Sequence, residues 1–259
     1  IVWYGAMGTN WSTAGNWLSY NGSAYSVAAS APSNSTNVFI VSYGDNCVTN
    51  NPVLTGASAS KNLTIASGRS LGIGNYILSV AGNFDNEGGT FTSGNGTINI
   101  EGDLTNNGTF TAGTGTVVFN GGMLQTISGS ALTFYNVTFN NAKNFMLDGL
   151  TPIVNGTARF TSGIVTGNMS FGASASTADA KIASHVDGTV TKLAGGSTFT
   201  FPTGNAGVLG TISASVTSDT WVRFHNVSST GSLPADYPRF WNPNNNCDGN
   251  NPRFDHVSN

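Results

Sequence analysis

The sequence predicts an all-β fold: a right-handed parallel β-solenoid (β-helix) with an N-terminal aromatic cap, followed by a sandwich-like β module. Three observations lead there. Gly, Asn, Thr and Ser make up nearly half of the 259 residues, and Gly or Asn interrupts the chain every few positions, which is costly inside helices. Hydrophobic residues still amount to 39%, with Val, Ile, Phe and Thr recurring as strand formers, so the chain has enough apolar surface to build a core. Finally, one segment repeats in tandem, which decides between β architectures.

The first element is the cap, residues 1–36. Trp3, Tyr4, Trp11, Trp17, Tyr20 and Tyr25 crowd into its first 25 positions among Gly, Ser, Asn and Thr. A solenoid must cover its terminal coil with atypical structure to stop edge pairing, and capping is the reading preferred for these rings. Aromatic rings on a loop-rich segment also suit stacking on sugar faces. Trp11, Trp17 and Tyr20 are therefore the candidate ligand-binding residues.

The second element, residues 37–178, carries the repeat. Residues 82–101 lie over residues 102–120 with one deletion, matching Phe84 with Leu104, Asn86 with Asn106, Phe91 with Phe110, Gly94 with Gly113, Gly96 with Gly115, Ile98 with Val117 and Ile100 with Phe119. Weaker copies occur at Asn62-Leu-Thr-Ile65, Ile77-Leu-Ser-Val80, Asn136-Val-Thr-Phe139, Pro152-Ile-Val154 and Ala158-Arg-Phe160. A period near 20 residues is too short for propeller blades and suits solenoid coils. Strands stacked at ~4.8 Å would turn the matched apolar residues into internal ladders, giving six to eight coils and a rod of roughly 30–40 Å. Gly and Asn are expected at left-handed corners. An antiparallel sandwich is the alternative, but it does not require near-identical consecutive units.

The third element, residues 179–259, changes texture to alternating strands such as Gly188-Thr-Val-Thr-Lys192, Ser197-Thr-Phe-Thr-Phe-Pro202 and Trp221-Val-Arg-Phe224. It reads as a sandwich-like module, expected to be truncated where the chain stops.

Composition also excludes partners. Nine Lys and Arg against twelve Asp and Glu, a net charge of −3, cannot supply the clustered cations that nucleic acid or an anionic membrane requires. No apolar run approaches the ~20 residues of a membrane span, and no signal-peptide pattern opens the chain, which reads as a soluble, processed form.

Catalytic candidates are absent. Glutamate occurs only at Glu87 and Glu101 and the aspartates are scattered, so no glycosidase pair is visible. A β-helical polysaccharide lyase would need acidic calcium ligands beside a basic residue; the discriminating arrangement is Asp85, Asp103 and Glu101 or Glu87 in one groove with Arg69 or Lys61. His185, His225 and His256 are isolated, without zinc-site spacing. Calcium is the one cofactor left open, at Asp248, Asn250 and Asp255, a loose acidic loop that an Asn/Asp/Gly turn explains equally well. Thr90-Phe-Thr92 and Thr109-Phe-Thr111 should stack as a two-rung threonine ladder, which the next copy breaks at Gln125-Thr-Ile127; ice-binding arrays need many more rungs. Cys47 and Cys247 should sit at opposite ends of the rod, too far apart to bond to each other.

The opening Trp3-Tyr-Gly-Ala and Trp11-Ser-Thr-Ala-Gly-Asn-Trp17, the tandem Gly-Asn-Phe and Gly-Thr-Phe units, Gln125-Thr-Ile127-Ser-Gly129, Phe134-Tyr-Asn-Val-Thr-Phe-Asn-Asn141 and Phe199-Thr-Phe-Pro-Thr-Gly204 resemble the large repetitive surface proteins of Bacteroidetes. That group is exported by type IX secretion and includes gliding-motility adhesins and filament components. The resemblance implies an extracellular, cell-surface or secreted protein with a non-catalytic stalk or adhesive role. Its partners would be the type IX secretion machinery and other surface proteins or glycans, with self-association open. The C-terminal sorting domain of such proteins has no counterpart here. A carbohydrate-binding or polysaccharide-degrading β-helix is the second reading, and ice binding a third.

Overall fold

A strand of three or four residues with apolar side chains at alternate positions buries one face only when equivalent strands stack above and below it. This chain does so three times per coil. The computed structural model describes residues 1–42, 50–205 and 208–225, together with the backbone of Arg253–Ser258. No α-helix occurs among them.

The first face runs through Val38–Ile40, Leu63–Ala66, Phe84–Glu87, Leu104–Asn106, Gln125–Gly129, Phe145–Asp148, Val165–Thr166 and Val186–Asp187, all parallel, within a 13-stranded sheet. The second face begins as a three-stranded sheet, Ser70–Gly72, Thr90–Thr92 and Thr109–Thr111. It resumes in a separate sheet with Thr133–Phe134, Ile153–Val154, Met169–Phe171 and Thr189–Lys192. The third is a seven-stranded parallel sheet from Ser58–Ser60 to Ser176–Ala178, one strand for each of about seven coils.

Register follows the tandem alignment. Phe84 pairs with Leu104 and Asn86 with Asn106 on the first face, Phe91 with Phe110 on the second, Ile98 with Val117 and Ile100 with Phe119 on the third. The core is therefore a set of ladders. Val38, Leu63, Phe84, Leu104, Ile127 and Leu147 form one, and Val80, Ile100, Phe119, Phe139 and Phe160 another. All are buried, each contributing about 1.5–3 kcal/mol of transfer free energy. The rings of Phe119, Phe139 and Phe160 stack at centroid spacings of 5.9 and 5.5 Å.

Two expectations need correcting. Gln125-Thr-Ile127 does not follow Thr109-Phe-Thr111 in the threonine ladder; it lies on the first face, where Ile127 pairs with Leu104. Phe134 follows Phe110 instead, at a ring distance of 6.0 Å. The cause is an excursion at Gly121–Leu124 before the first face, offset by a shorter corner after the second, where Tyr135 alone joins Phe134 to Asn136. The third face keeps its spacing through this region, Phe119 over Phe139. Left-handed corners, moreover, are almost all glycine. Of the described asparagines only Asn144 has positive φ, against Gly68, Gly74, Gly88, Gly94, Gly113, Gly129, Gly149, Gly163 and Gly167 among the corner glycines.

Asparagine has a different task. Asn37, Asn62, Asn83 and Asp103 hold one corner in successive coils, and each side chain binds the coil above. Asn62 Nδ2 donates to Asn37 Oδ1 (3.0 Å), Asn83 N–H to Asn62 Oδ1 (2.8 Å), Asp103 N–H to Asn83 Oδ1 (3.0 Å) and Thr126 N–H to Asp103 Oδ1 (2.7 Å). Inside the first face, buried Asn86 donates to Asn106 Oδ1 at 2.7 Å and to Thr109 O at 3.2 Å. These amides satisfy polar groups that the corners would otherwise strand.

At the N-terminal end Val2–Trp3 joins the first face parallel to Val38–Ile40, and the hairpin Trp17–Tyr20 with Tyr25–Val27 extends the same sheet. Toward the C-terminus parallel stacking runs beyond residue 178, with Thr203 over Val186. Antiparallel pairs are then built onto the last coil: Thr198–Phe201 with Ile212–Ser215, and Thr189–Lys192 with Thr220–His225, which in turn pairs with Arg253–Ser258. Lys192 falls where the Phe134, Val154 and Phe171 ladder would continue. Its buried ammonium donates to the carbonyls of Gly172, Ala173 and Leu193 and lies 5.4 Å from the Phe199 ring centroid. Burial lowers its pKa, and Asp219 opposes that shift.

Candidate functional site

The cap splits the three ligand-binding candidates. Trp17 sits on a strand that pairs with Trp3, and Trp11 on the turn before it. The three indoles meet edge to face, with Trp17 4.8 Å from both Trp3 and Trp11. Trp17 Nε1 donates to Trp11 O and Trp3 Nε1 to Asn50 O, both at 2.7 Å. Trp11 is 1% exposed and Trp17 0%, so neither offers a face to a sugar; the indoles cover the end of the hydrophobic ladders.

Tyr20 differs. It is 57% exposed, and its ring lies 4.9 Å from that of Tyr25 directly across the hairpin. The Asn21-Gly22 turn places the two. Gly22 adopts φ 101°, and Asn21 Oδ1 accepts from the backbone N–H groups of Ser23 and Ala24. Tyr20 Oη donates to Gly22 O at 2.8 Å, which holds the phenol down and the ring outward. The Asn-Gly dipeptide signals a turn here, but a two-residue turn on it would set Ser23 opposite Tyr20; the four-residue loop 21–24 is what brings Tyr25 there. No charged residue precedes Asp45, so this platform is a neutral one.

The acidic residues of the lyase pattern gather around Asp85 without Arg69. Asp85 lies between Thr64 and Thr105 on the outside of the first face. Its pKa is raised, chiefly by burial and further by the nearby charges of Glu87 and Asp103, while a hydrogen bond from Thr105 opposes the shift. Arg69 does not join them: it is buried and donates to Asn50 O at 2.9 Å. Among the described residues no three His, Cys, Asp or Glu side chains gather closely enough to hold a metal ion.

The threonine ladder stops at two full rungs. Thr90 and Thr92 pair with Thr109 and Thr111, and the rung below is Ser70 and Gly72. His185 is buried, with Nδ1 3.2 Å from Lys181 O. The calcium candidates Asp248 and Asn250, the cysteines Cys47 and Cys247, and the side chains of Asp255, His225 and His256 lie outside the described residues. No described helix is long and apolar enough to cross a membrane.

No protein-family model, curated protein or solved structure matches the chain.

Proposed function

We propose that this chain is a non-catalytic structural and adhesive module of a secreted or cell-surface protein, a rod that spaces and presents contact surfaces. The observation that carries this reading is the stacked solenoid itself. Each coil contacts only its neighbours, so shape is kept over length by core ladders that continue from coil to coil. One outward column consists of short neutral side chains, Thr97, Thr116 and Asn136 on the third face. Such a column supplies hydrogen-bond donors and acceptors without desolvating charge. The exposed Tyr20 and Tyr25 pair adds an apolar contact at one end. Export by type IX secretion belongs to the same proposal through the sequence resemblance.

The test combines shape, adhesion and turnover. Small-angle scattering of the purified chain should give an elongated particle. Beads carrying the chain should stay on polysaccharide-coated surfaces under flow where albumin-coated beads detach, and polysaccharides incubated with the chain should keep their length with and without calcium. Detachment like albumin would remove the adhesive half; shortened polysaccharide would replace the reading with the enzymatic one. For export, the protein should vanish from the surface of its native cells when the type IX machinery is deleted.

A further inference from the structure

We propose that the corner between the second and third faces binds a neutral glycan chain lying along the rod axis, with Tyr76 and Tyr135 as its stacking platforms. This deepens the adhesive reading and rests on it. Thr97 N–H donates to Tyr76 O, Thr116 N–H to Gly96 O and Asn136 N–H to Gly115 O. Tyr76, Gly96, Gly115 and Tyr135 therefore occupy one corner position in four successive coils. The tyrosines stand three rungs apart, about 14 Å at the spacing of stacked strands.

Both rings face solvent, Tyr76 41% and Tyr135 37% exposed. Among the described residues neither packs on another aromatic ring and neither phenol has a hydrogen-bond partner. A singly exposed tyrosine needs no explanation; two in one column, with glycine on both rungs between them, do. Tyr135 also has a prepared seat. A Cβ on Gly156, in the next coil, would come 2.7 Å from Tyr135 O and 2.9 Å from its Cδ1, so the glycine is what lets the ring lie over that rung.

Beside this column runs Ile77, Thr97, Thr116 and Asn136, in register on the third face. It offers one apolar side chain, two hydroxyls without a partner among the described residues and one amide, whose Oδ1 accepts from Thr157 N–H and whose Nδ2 donates to Thr114 O at 3.4 Å, leaving its second N–H for a ligand. No charged residue occurs in 73–80, 93–100, 112–119 or 133–139, the segments that build this surface. A pyranose has an apolar face and a hydroxyl rim. Tyrosine rings suit the face, threonine hydroxyls and the amide suit the rim, and an anionic sugar would find no cation. The axial direction follows because platforms and hydroxyls both repeat along the axis.

The experiment is affinity electrophoresis of the whole chain in gels containing neutral polysaccharides (β-glucan, xylan, mannan, galactan) or anionic ones (alginate, polygalacturonate). It is repeated with Y76A, Y135A, the double variant, and M146A, an exposed apolar position on the first face, as the control outside the strip. At least one neutral polysaccharide should retard the chain. Each single variant should lose about tenfold in affinity and the double variant all measurable retardation, with M146A unchanged. Exposed positions keep the fold safe, which a thermal melt checks. Retardation by anionic polysaccharides alone, by none, or equally in wild type and double variant would overturn the inference. Beads that still adhere in any of those cases would leave the adhesive reading standing without this strip.

Discussion

Asp85 shows how one side chain reports on its neighbours. Its carboxylate is partly withdrawn from water and faces the like charges of Glu87 and Asp103, so its pKa is raised in the fold. A raised carboxylate pKa means the folded state holds its proton to higher pH than the unfolded chain does. Stability then falls as pH rises through the folded pKa and returns as pH drops below it. Asp85→Asn removes the charge and keeps a polar group beside Thr105. It should stabilise the protein at neutral pH, by less than about 1 kcal/mol because the site is partly solvated, and the gain should fade as the solution is acidified toward pH 3. Urea melts of both proteins across that range measure it; a gap independent of pH would show that Asp85 acts through packing rather than charge. The asparagines teach a complementary lesson. Their abundance was legible in the sequence, but their work was not: a corner Asn in left-handed conformation and one whose amide caps the coil above, like Asn62 and Asn83, have the same spacing.

At the level of strands and corners, the third face was readable because its apolar alternation is unbroken, Leu78 through Ala158 in one ladder and Val80 through Phe160 in the next. The second face was not. Thr133–Phe134 is a two-residue strand, too short for alternation to register. The excursion at Gly121–Leu124 and the shortened corner at Tyr135 also compensate each other, so the overall period hides both. The candidate site was legible only in part for the same reason: Trp11, Trp17 and Tyr20 look alike in composition, and only the hairpin register separates the buried pair from the exposed ring. Corner glycines make the geometry testable. Gly163 has φ 89°, and a Cβ there would collide with Asn141 O and approach Phe145. Gly122, inside the excursion, has open space around it and no positive φ. Gly163→Ala should cost about 2 kcal/mol or more, while Gly122→Ala should stay within about 0.5 kcal/mol of wild type. Chemical denaturation of the two variants decides it, and equal effects would mean that the corners tolerate strain by shifting whole coils.

For the whole molecule, the decisive property is that stability adds up along the axis from coil to coil. Removing residues 82–101 takes out one coil and joins Ala81 to Gly102. In the shortened rod Leu104 would stack on Leu63, Phe110 on Leu71, Val117 on Leu78 and Phe119 on Val80, each apolar residue meeting another, as the existing registers require. Gly113 would follow Gly74 with both corners left-handed, and Asp103 N–H would meet Asn62 Oδ1 in place of Asn83 N–H. One mismatch remains: Asn106, which now accepts from Asn86, would face Ile65 and lose that buried partner. An unmet buried amide costs about 1–3 kcal/mol, on top of the removed coil's own contribution. The deletion should therefore fold cooperatively at reduced stability, with a rod about 5 Å shorter by scattering. Deleting residues 82–91 removes half a period and joins Ala81 to Thr92. In the existing registers this puts corner residues 94–96 and third-face Thr97 over first-face Leu63–Ala66, and second-face Thr109 and Phe110 over third-face Ser79 and Val80, and it should leave no cooperative transition. If both deletions unfolded alike, coil-by-coil additivity would be the wrong physics for this rod; if both folded alike, the side-chain ladders would not be what sets its register.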